Sequence, residues 1–322
     1  MANSEELHRN TVVVDAHCDF LTAAEEQKRS LGQKGTNGHV DLPRLREGGV
    51  NVQFFAAFVA PEQRTRALTR ALSLIDRFFA ELQANSREIM LAKSYPDVEH
   101  ALAQGKIAAI LAVEGGEALE GSLEVLRILY RLGVRCLTLT WNHRNELGDG
   151  IYEEETKGGL TRFGKNVVRE MNRLKMLVDV AHLSEAGFWD ALEVSSEPVI
   201  ASHANCRSIC PHPRNLTDGQ IKALAGAGGV IGVCCYPGFV HESAPSLEKL
   251  LDHMDHLADV GGIDCIGLGS DFDGFQGSLP GLEDAGRLPA LTKGLLSRGY
   301  REEEVRKILG GNFLRLLKGM KE

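Results

Sequence analysis

The stretch TVVVDAHCDF (Thr11–Phe20) has three consecutive valines in its first half and the polar side chains of His17 and Asp19 in its second half. β-Branched residues favour strands, so its first half predicts a buried strand. His17 and Asp19 follow directly, and side chains two residues apart on a strand point to the same side. The stretch therefore predicts a strand whose end places an imidazole beside a carboxylate.

Seven further runs have the same character. Each is short and apolar, and each is separated from the next by a longer segment with helical periodicity. Continuous apolar runs are typical of parallel strands that are covered on both faces. The eight predicted strands are Thr11–Ala16, Val50–Val59, Ile107–Val113, Val134–Thr140, Met176–Ala181, Val199–Ser202, Val230–Cys235 and Cys265–Gly269.

The segments between these runs predict helices, several of which begin with a Ser or Thr cap. Eight strands that alternate with helices favour a closed (β/α)8 barrel. An open doubly wound sheet is the alternative, but the glycine-rich dinucleotide loop is missing after the first strand. We predict an α/β fold with one (β/α)8 barrel domain over residues 1–322 and a C-terminal helix. The predicted helices are Arg64–Ala92, Ser122–Leu132, Thr161–Lys175, Ser184–Val194, Thr217–Ala227, Leu247–Val260, Leu288–Ser297 and Glu302–Lys318.

Charge and composition limit the classes of partner. The formal net charge is −8, and no basic tract is present, so neither nucleic acid nor an anionic membrane is expected as a partner. The apolar runs are too short for a membrane span, and the polar first ten residues do not predict a secretory signal. The seven cysteines form no dense framework. We therefore expect reduced thiols and a cytoplasmic protein.

Polar or aromatic side chains follow almost every predicted strand. In a barrel the carboxyl ends of the strands meet at one rim, where active sites lie. A single histidine at a strand end is usually a hydrogen-bonded residue without a catalytic role. Three histidines and three carboxylates at five strand ends would, however, bury several unpaired charges, and this favours metal binding. The residues are His17 and Asp19, Glu114, Trp141 with Asn142 and His143, His182, His203, Tyr236, and Asp271.

The number of these ligands suggests two metal ions. Imidazole with carboxylate is the ligand set of zinc and its neighbours, although other divalent metals remain open. His17 and Asp19 would bind one ion, and His182 and His203 the other. Glu114 is the natural bridge, because a carboxylate offers one oxygen to each ion, and a hydroxide held between them would be the nucleophile. Asp271 would then act as general base and proton shuttle.

Two other histidines lie three residues apart in the predicted helix Leu247–Val260. His253 and His256 stand among aspartates, and the sequence offers no third ligand beside them. We predict that this pair lies on a solvated helix face.

The motifs around the strand ends resemble the renal or membrane dipeptidase family, which are dinuclear zinc peptidases with amidohydrolase-like barrels. The resemblance implies the ligand division given above, with Asp271 as the catalytic acid and base. It also implies that Arg214 receives the carboxylate of the substrate, that Tyr236 lies near the pocket, and that the chain forms a homodimer. The matching segments cover nearly the whole chain and are DAHCDF, AVEGGEAL, RLGVRCLTLTWNHRNELGDG, VDVAHLSEAGFWDAL, PVIASHANCRSICPHPRNLTD, IGLGSDFDG and GGNFLRLLKG.

One position departs from the family pattern. Many members place a histidine directly after LTLT, where it helps to bind the substrate and to stabilise the tetrahedral intermediate. Trp141 holds that position here. His143, two residues later, and Asn142 are the two candidates for the missing donor.

These observations predict a zinc-dependent dipeptidase that acts on dipeptides of two L-residues and on those with a D-residue at the C-terminal side. Small dipeptides are the expected partners. The alternative is a related amidohydrolase that acts on N-acyl amino acids or lactams. This alternative stays open because Trp141 replaces the family histidine. A barrel that has lost catalysis and only binds ligands is disfavoured, because unused buried charges would destabilise it.

Overall fold

The computed structural model describes residues 4–321. Short parallel strands form its centre, and helices cover them on the outside. The strands are β1 (Val13–Asp15), β2 (Val50–Phe58), β3 (Ile89–Leu91), β4 (Ile107–Glu114), β5 (Val134–Thr138), β6 (Leu177–Asp179), β7 (Ile200–Ala201), β8 (Val230–Val233) and β9 (Ile266–Leu268).

The α-helices alternate with the strands along the chain. Thr161, Ser184 and Thr217 cap the helices that follow them, because each side chain accepts a hydrogen bond from a backbone amide of the first turn. The helices are α1 (Ser4–Arg9), α2 (Phe20–Gln27), α3 (Leu42–Glu47), α4 (Ala67–Ala84), α5 (Tyr95–Ala103), α6 (Leu123–Arg131), α7 (Arg162–Leu174), α8 (Glu185–Val194), α9 (Asp218–Gly226), α10 (Pro237–Val240), α11 (Leu247–Gly261), α12 (Pro289–Ser297), α13 (Glu302–Arg306) and α14 (Asn312–Leu317).

Eight of the strands form a closed barrel. The order is β2-β1-β9-β8-β7-β6-β5-β4, and β4 pairs back with β2 from Val52↔Ala108 to Phe58↔Glu114. Each of these strands lies within one of the eight predicted runs, except that β4 extends one residue beyond its run, to Glu114. The barrel prediction is confirmed, and the closed sheet excludes the doubly wound alternative.

The predicted helix Arg64–Ala92 is wrong at its C-terminal end. The helix ends at Ala84, and residues 89–91 form β3, which pairs with Ile107–Ala109 at the foot of β4. The three-residue strands β1, β6 and β9 lie within longer apolar runs, whereas β3 lies in an apolar run of only four residues (89–92), which the sequence pattern does not separate from the helix before it.

The prediction for His253 is also wrong. The side chain is completely buried, and its Nδ1 accepts a hydrogen bond from the Cys206 amide at 3.1 Å. Its Nε2 donates to the Val240 carbonyl oxygen at 2.9 Å. The histidine therefore joins α11 to the loop that follows β7 and to the end of α10. His256 is partly exposed and pairs with Asp218, as expected for a surface residue.

The last helical segment closes the bottom of the barrel. It is divided by a π-helical turn at Lys307–Gly311, where a Cβ on Gly310 would lie only 2.2 Å from the Val12 carbonyl oxygen. Beyond this turn Phe313 is buried with the barrel-lining side chains, and its ring lies 6.2 Å from that of Phe54. No helix among the described residues has both the length and the apolarity of a membrane span.

We expect Phe313→Ala to lower the free energy of unfolding by about 3–5 kcal/mol, because it leaves a cavity in a closed core. Urea unfolding followed by circular dichroism would measure this loss. Phe79→Ala is the control, since Phe79 lies on α4 with 37% of its surface exposed. The control should lose about 1 kcal/mol or less. Equal losses in the two variants would contradict the assigned role of Phe313.

Candidate metal centre and active site

The barrel brings six of the predicted side chains together at one rim. Five of them, His17, Asp19, Glu114, His182 and His203, are buried. The sixth, Asp271, has 15% of its side chain exposed. His17 and Asp19 follow β1, Glu114 ends β4, His182 follows β6, His203 follows β7, and Asp271 follows β9.

Glu114 lies between two groups of these side chains. Its Oε2 is 3.5 Å from His17 Nε2, which is in turn 3.3 Å from Asp19 Oδ2. Its Oε1 is 2.9 Å from His182 Nε2 and 3.7 Å from His203 Nε2. Each carboxylate oxygen of Glu114 therefore faces a different group.

The buried polar atoms of the two groups are incompletely paired. His17 Nε2 and Asp19 Oδ1 have no hydrogen-bond partner among the described residues. His182 Nε2 and His203 Nε2 lie 2.7 Å apart and both face the same Glu114 oxygen. Unpaired buried donors and acceptors are costly, and a cation would satisfy all of these atoms. The donor set thus fits divalent cations at both groups.

Asp271 borders the same centre. Together with His17 and His203 it forms a third group of potential ligand atoms, all within 4.8 Å of one another. Its Oδ1 lies 3.9 Å from His17 Nε2. Asp271 is thus within reach of any cation held there, as a proton-transfer group or as a ligand.

Burial and neighbouring charges shift the pKa values of these groups. Burial, reinforced by Arg214, lowers the pKa of His182 to about 3. Burial and the neighbouring His17 also hold the pKa of His203 well below its usual value. Both imidazoles are therefore neutral at physiological pH, which is the form that binds metal.

Two of the three carboxylates, Asp19 and Asp271, show the opposite effect, whereas the pKa of Glu114 is lowered by His17 and His182 against the effect of burial. Burial, with the neighbouring Glu114, raises the pKa of Asp19 to about 6. Burial raises the pKa of Asp271 to about 8; His17 opposes this rise and Asp19 adds to it. Crowded carboxyl groups with raised pKa values are what a bound cation would stabilise in their charged forms.

Two of the rim residues hold a backbone conformation that non-glycine residues seldom adopt. The φ angles are +68° at His182 and +61° at Asp271. Such conformations cost of order 1 kcal/mol or more and cluster at functional sites. At both residues the chain turns where the strand ends and directs the side chain toward the rim.

A cavity of about 500 Å³ opens above the centre, a size that suits a small peptide. Four of the five residues predicted to bind substrate line it, namely Trp141, Asn142, Arg214 and Tyr236. The fifth, His143, is not among the lining residues; its ring packs 5.3 Å from that of Tyr152.

The guanidinium of Arg214 places a positive charge at the wall of this cavity. The side chain is buried, and its Nη2 donates to the His203 carbonyl oxygen at 3.2 Å. Its Nε–H has no partner among the described residues, and its Cζ lies 5.3 Å from the centre of the Phe239 ring. A guanidinium with an unused donor at a cavity wall is suited to bind a carboxylate.

Trp141 and Asn142, which follow β5, have different contacts. Asn142 Oδ1 accepts a hydrogen bond from Nδ1 of His182 at 2.7 Å, so this oxygen orients a candidate ligand. Trp141 packs at 5.5 Å from the Phe58 ring and 6.0 Å from the His182 ring, and forms an aromatic wall of the cavity with Phe58 and Tyr152. The roles given to Trp141, Asn142 and His143 in substrate binding stay predictions.

Sequence reasoning missed the buried carboxylates that lie behind the histidines. Asp15 accepts hydrogen bonds from the amide and the hydroxyl of Ser270 at 2.8 and 2.7 Å. Asp179 accepts from Ser202, which also contacts His203. The available signal was a charged residue inside an apolar run shortly before a histidine, as in VDAH and VDVAH.

The loop of Asp271 is held in place by a third carboxylate that the sequence did not single out. Asp273 binds Nη2 of Arg29 at 2.8 Å and accepts from the His39 amide at 2.6 Å. Its own amide donates to His39 Nδ1 at 2.9 Å. These contacts anchor the loop to the segment that follows α2.

Comparison with known proteins identifies the family of this chain. The membrane dipeptidase family (peptidase family M19) matches the chain over residues 1–322. Dipeptidase verJ of Clonostachys rogersoniana is 34% identical, over 96% of this chain and 84% of that protein. Dipeptidase 3 of Mus musculus is 36% identical, over 98% of this chain and 66% of that protein.

A solved structure is similar over its whole length. It is a metallopeptidase from Rhodobacter sphaeroides in complex with a phosphinate mimic of the dipeptide L-Ala-D-Ala. The TM-score is 0.89 at 30% identity, and the alignment covers 97% of this chain and 100% of that one. The resemblance inferred from the motifs is therefore confirmed, and this chain belongs to the membrane dipeptidase family, peptidase family M19.

Proposed function

We propose that this metallo-dipeptidase hydrolyses dipeptides that carry a free C-terminal carboxylate, with two zinc ions as its cofactors. The observation that carries the proposal is the position of Glu114, which directs one oxygen to His17 and Asp19 and the other to His182 and His203. Arg214 lies at the wall of the same dipeptide-sized cavity. The centre and the carboxylate receptor are thus close enough to act on one small substrate.

The cations, Asp271 and Arg214 have separate roles in this reaction. When bound, the cations supply Lewis-acid activation of the peptide carbonyl and of the attacking water. Asp271 takes a proton at a carboxylate oxygen and delivers it to the leaving amine, a role that suits a carboxylate whose Oδ1 lies 3.9 Å from His17 Nε2 at the edge of the centre. Arg214 binds the C-terminal carboxylate and thereby sets the position of the scissile bond.

Substrates with a D-residue at the C-terminal side belong to this proposal. The support is the Rhodobacter sphaeroides relative, whose structure holds a mimic of L-Ala-D-Ala. A second candidate substrate class is N-acyl amino acids or lactams. It is favoured by the apolar wall of Trp141 and Phe58, which would accept an acyl chain.

A substrate panel separates the candidates. Zinc-loaded protein would be assayed against L,L- and L,D-dipeptides, N-acyl amino acids and lactams, with the metal content of the same sample measured. We expect dipeptides to give the highest kcat/KM. No dipeptide turnover at two ions per chain would contradict the proposed function, and turnover of N-acyl amino acids alone would establish the second candidate.

We expect Arg214→Ala to lower kcat/KM for dipeptides by about 10- to 100-fold, mainly through KM, because a charge-assisted hydrogen bond contributes about 1.5–3 kcal/mol. The matched substrate is the same dipeptide with a C-terminal amide, for which the loss should be several-fold smaller. An equal loss for both substrates would remove Arg214 from its assigned role.

The cellular location and the assembly of the chain are also proposals. All seven cysteines are buried free thiols, which supports a reducing compartment such as the cytoplasm. Cell fractionation would check this location. The homodimer implied by the family resemblance stays a prediction that light scattering would check.

A further inference from the structure

A completely buried carboxylate lies behind the candidate ligand His203. Asp179 ends β6, and both of its oxygens are used by neutral donors. Oδ2 accepts from the hydroxyls of Thr138 and Ser202, each at 2.6 Å. Oδ1 accepts from the backbone amides of Ala181 at 3.0 Å and Ser202 at 2.9 Å.

Ser202 connects this carboxylate to the histidine. Its Oγ lies 2.6 Å from Asp179 Oδ2 and 2.8 Å from His203 Nδ1. A hydroxyl has a single proton, and an ionised carboxylate can only accept. Ser202 therefore donates to Asp179 and accepts from His203, so the ring carries its proton on Nδ1. Nε2 then keeps its lone pair, on the side of Glu114 and His182.

The backbone of Ser202 is closely packed against two other strands. Its carbonyl oxygen is enclosed by two glycines, Gly232 in β8 and Gly269 directly after β9. A Cβ on Gly232 would lie 2.0 Å from this oxygen, and a Cβ on Gly269 would lie 1.6 Å from it. This close packing restricts the backbone of the residue that precedes His203, and the hydrogen bonds to Asp179 and His203 orient its hydroxyl.

We propose that Asp179 and Ser202 are positioning residues that set the tautomer and ring orientation of His203, so that Nε2 is preorganised to bind a cation. The proposal rests on the proposed function only in assuming a cation at the group of Glu114, His182 and His203. The second histidine of this group is held differently, since His182 Nδ1 meets the neutral oxygen of Asn142. His203 is thus the histidine of this group that is linked, through Ser202, to the carboxylate of Asp179.

The first experiment measures metal affinity. Zn²⁺ would be titrated into the metal-free chain in competition with a chromophoric chelator. Ser202→Ala should weaken the binding of one of the two ions by about 10- to 100-fold, the range found when groups behind a ligand are removed. Ser202→Thr, which keeps the hydroxyl, should restore most of the affinity.

Thr138→Val is the matched control. It removes a hydroxyl from the same oxygen of Asp179 without touching His203, so the Zn²⁺ affinity should change by less than about threefold. An equal weakening by Thr138→Val and Ser202→Ala would overturn the proposal, because it would indicate a packing role for the whole cluster. Unchanged affinity in folded Ser202→Ala would also overturn it.

The second experiment requires neither metal nor substrate. Ring ¹⁵N chemical shifts of the metal-free wild type should show His203 protonated at Nδ1, and Ser202→Ala should give a mixture of tautomers. If Ser202→Ala does not fold, Asp179→Asn provides the same test with an isosteric side chain. A wild-type His203 protonated at Nε2 would overturn the proposal. Because these shifts do not depend on turnover, an absence of dipeptide hydrolysis would contradict the proposed function while leaving this inference standing.

Discussion

Asp271→Asn should lower kcat by about 10²- to 10⁴-fold, the range attributed to general acid and base catalysis, while both metal ions stay bound. The amide has nearly the shape of the carboxyl group but cannot take up and release the proton. Asparagine also tolerates the positive φ of +61° at this position, so the loop should keep its conformation. Dipeptide turnover and the metal content per chain would be measured on the same sample.

The control for this change lies at the other end of the same strand. Asp264 precedes β9, has 71% of its side chain exposed, and pairs with Lys307. Asp264→Asn should therefore leave kcat unchanged. If Asp271→Asn also loses an ion, then Asp271 is a ligand, as its grouping with His17 and His203 would permit, and its assignment as the proton shuttle would be wrong.

The order of elements in this fold could be predicted because parallel barrel strands are buried on both faces. Runs such as Ile107–Val113 are apolar throughout and are bounded by helical periodicity, so each barrel strand was visible on its own. Closure of the barrel then brings the carboxyl ends of the strands together at one rim, whatever the details of side-chain packing. The gathering of His17, Glu114 and His203 follows from this topology, without knowledge of any individual contact.

Contacts that depend on register could not be predicted in this way. Thr138 reaches Asp179 because the two residues are paired across β5 and β6, and Ser202 reaches it from beyond the end of β7. A sequence specifies the order of strands more directly than their register. For the same reason, Trp141, Asn142 and His143 could not be told apart, although only the first two line the cavity. The position of Arg214, eleven residues after His203, came from the family resemblance and not from a pattern.

Glu114→Gln should reduce the metal content from two ions per chain to one or fewer and lower kcat/KM by more than about 10³-fold, since it removes both the second ligand oxygen and the central negative charge. The amide nitrogen that replaces one oxygen cannot bind a cation, so one of the two groups loses a ligand whichever way the side chain turns. It would also remove the carboxylate that His17 and His182 both face. Elemental analysis after gel filtration would give the metal content.

Glu117→Gln is the matched control for this variant. Glu117 is a buried glutamate in the turn directly after β4, where it accepts a hydrogen bond from Asn145 Nδ2 at 2.9 Å and does not line the cavity. Burial raises the pKa of its carboxyl group, so a neutral amide is an acceptable replacement there. The control should keep both ions and its turnover. Two ions and wild-type turnover in Glu114→Gln would show that the two groups bind their cations without a shared carboxylate, and the proposed centre would then have to be built on His17, Asp19, His182 and His203 alone.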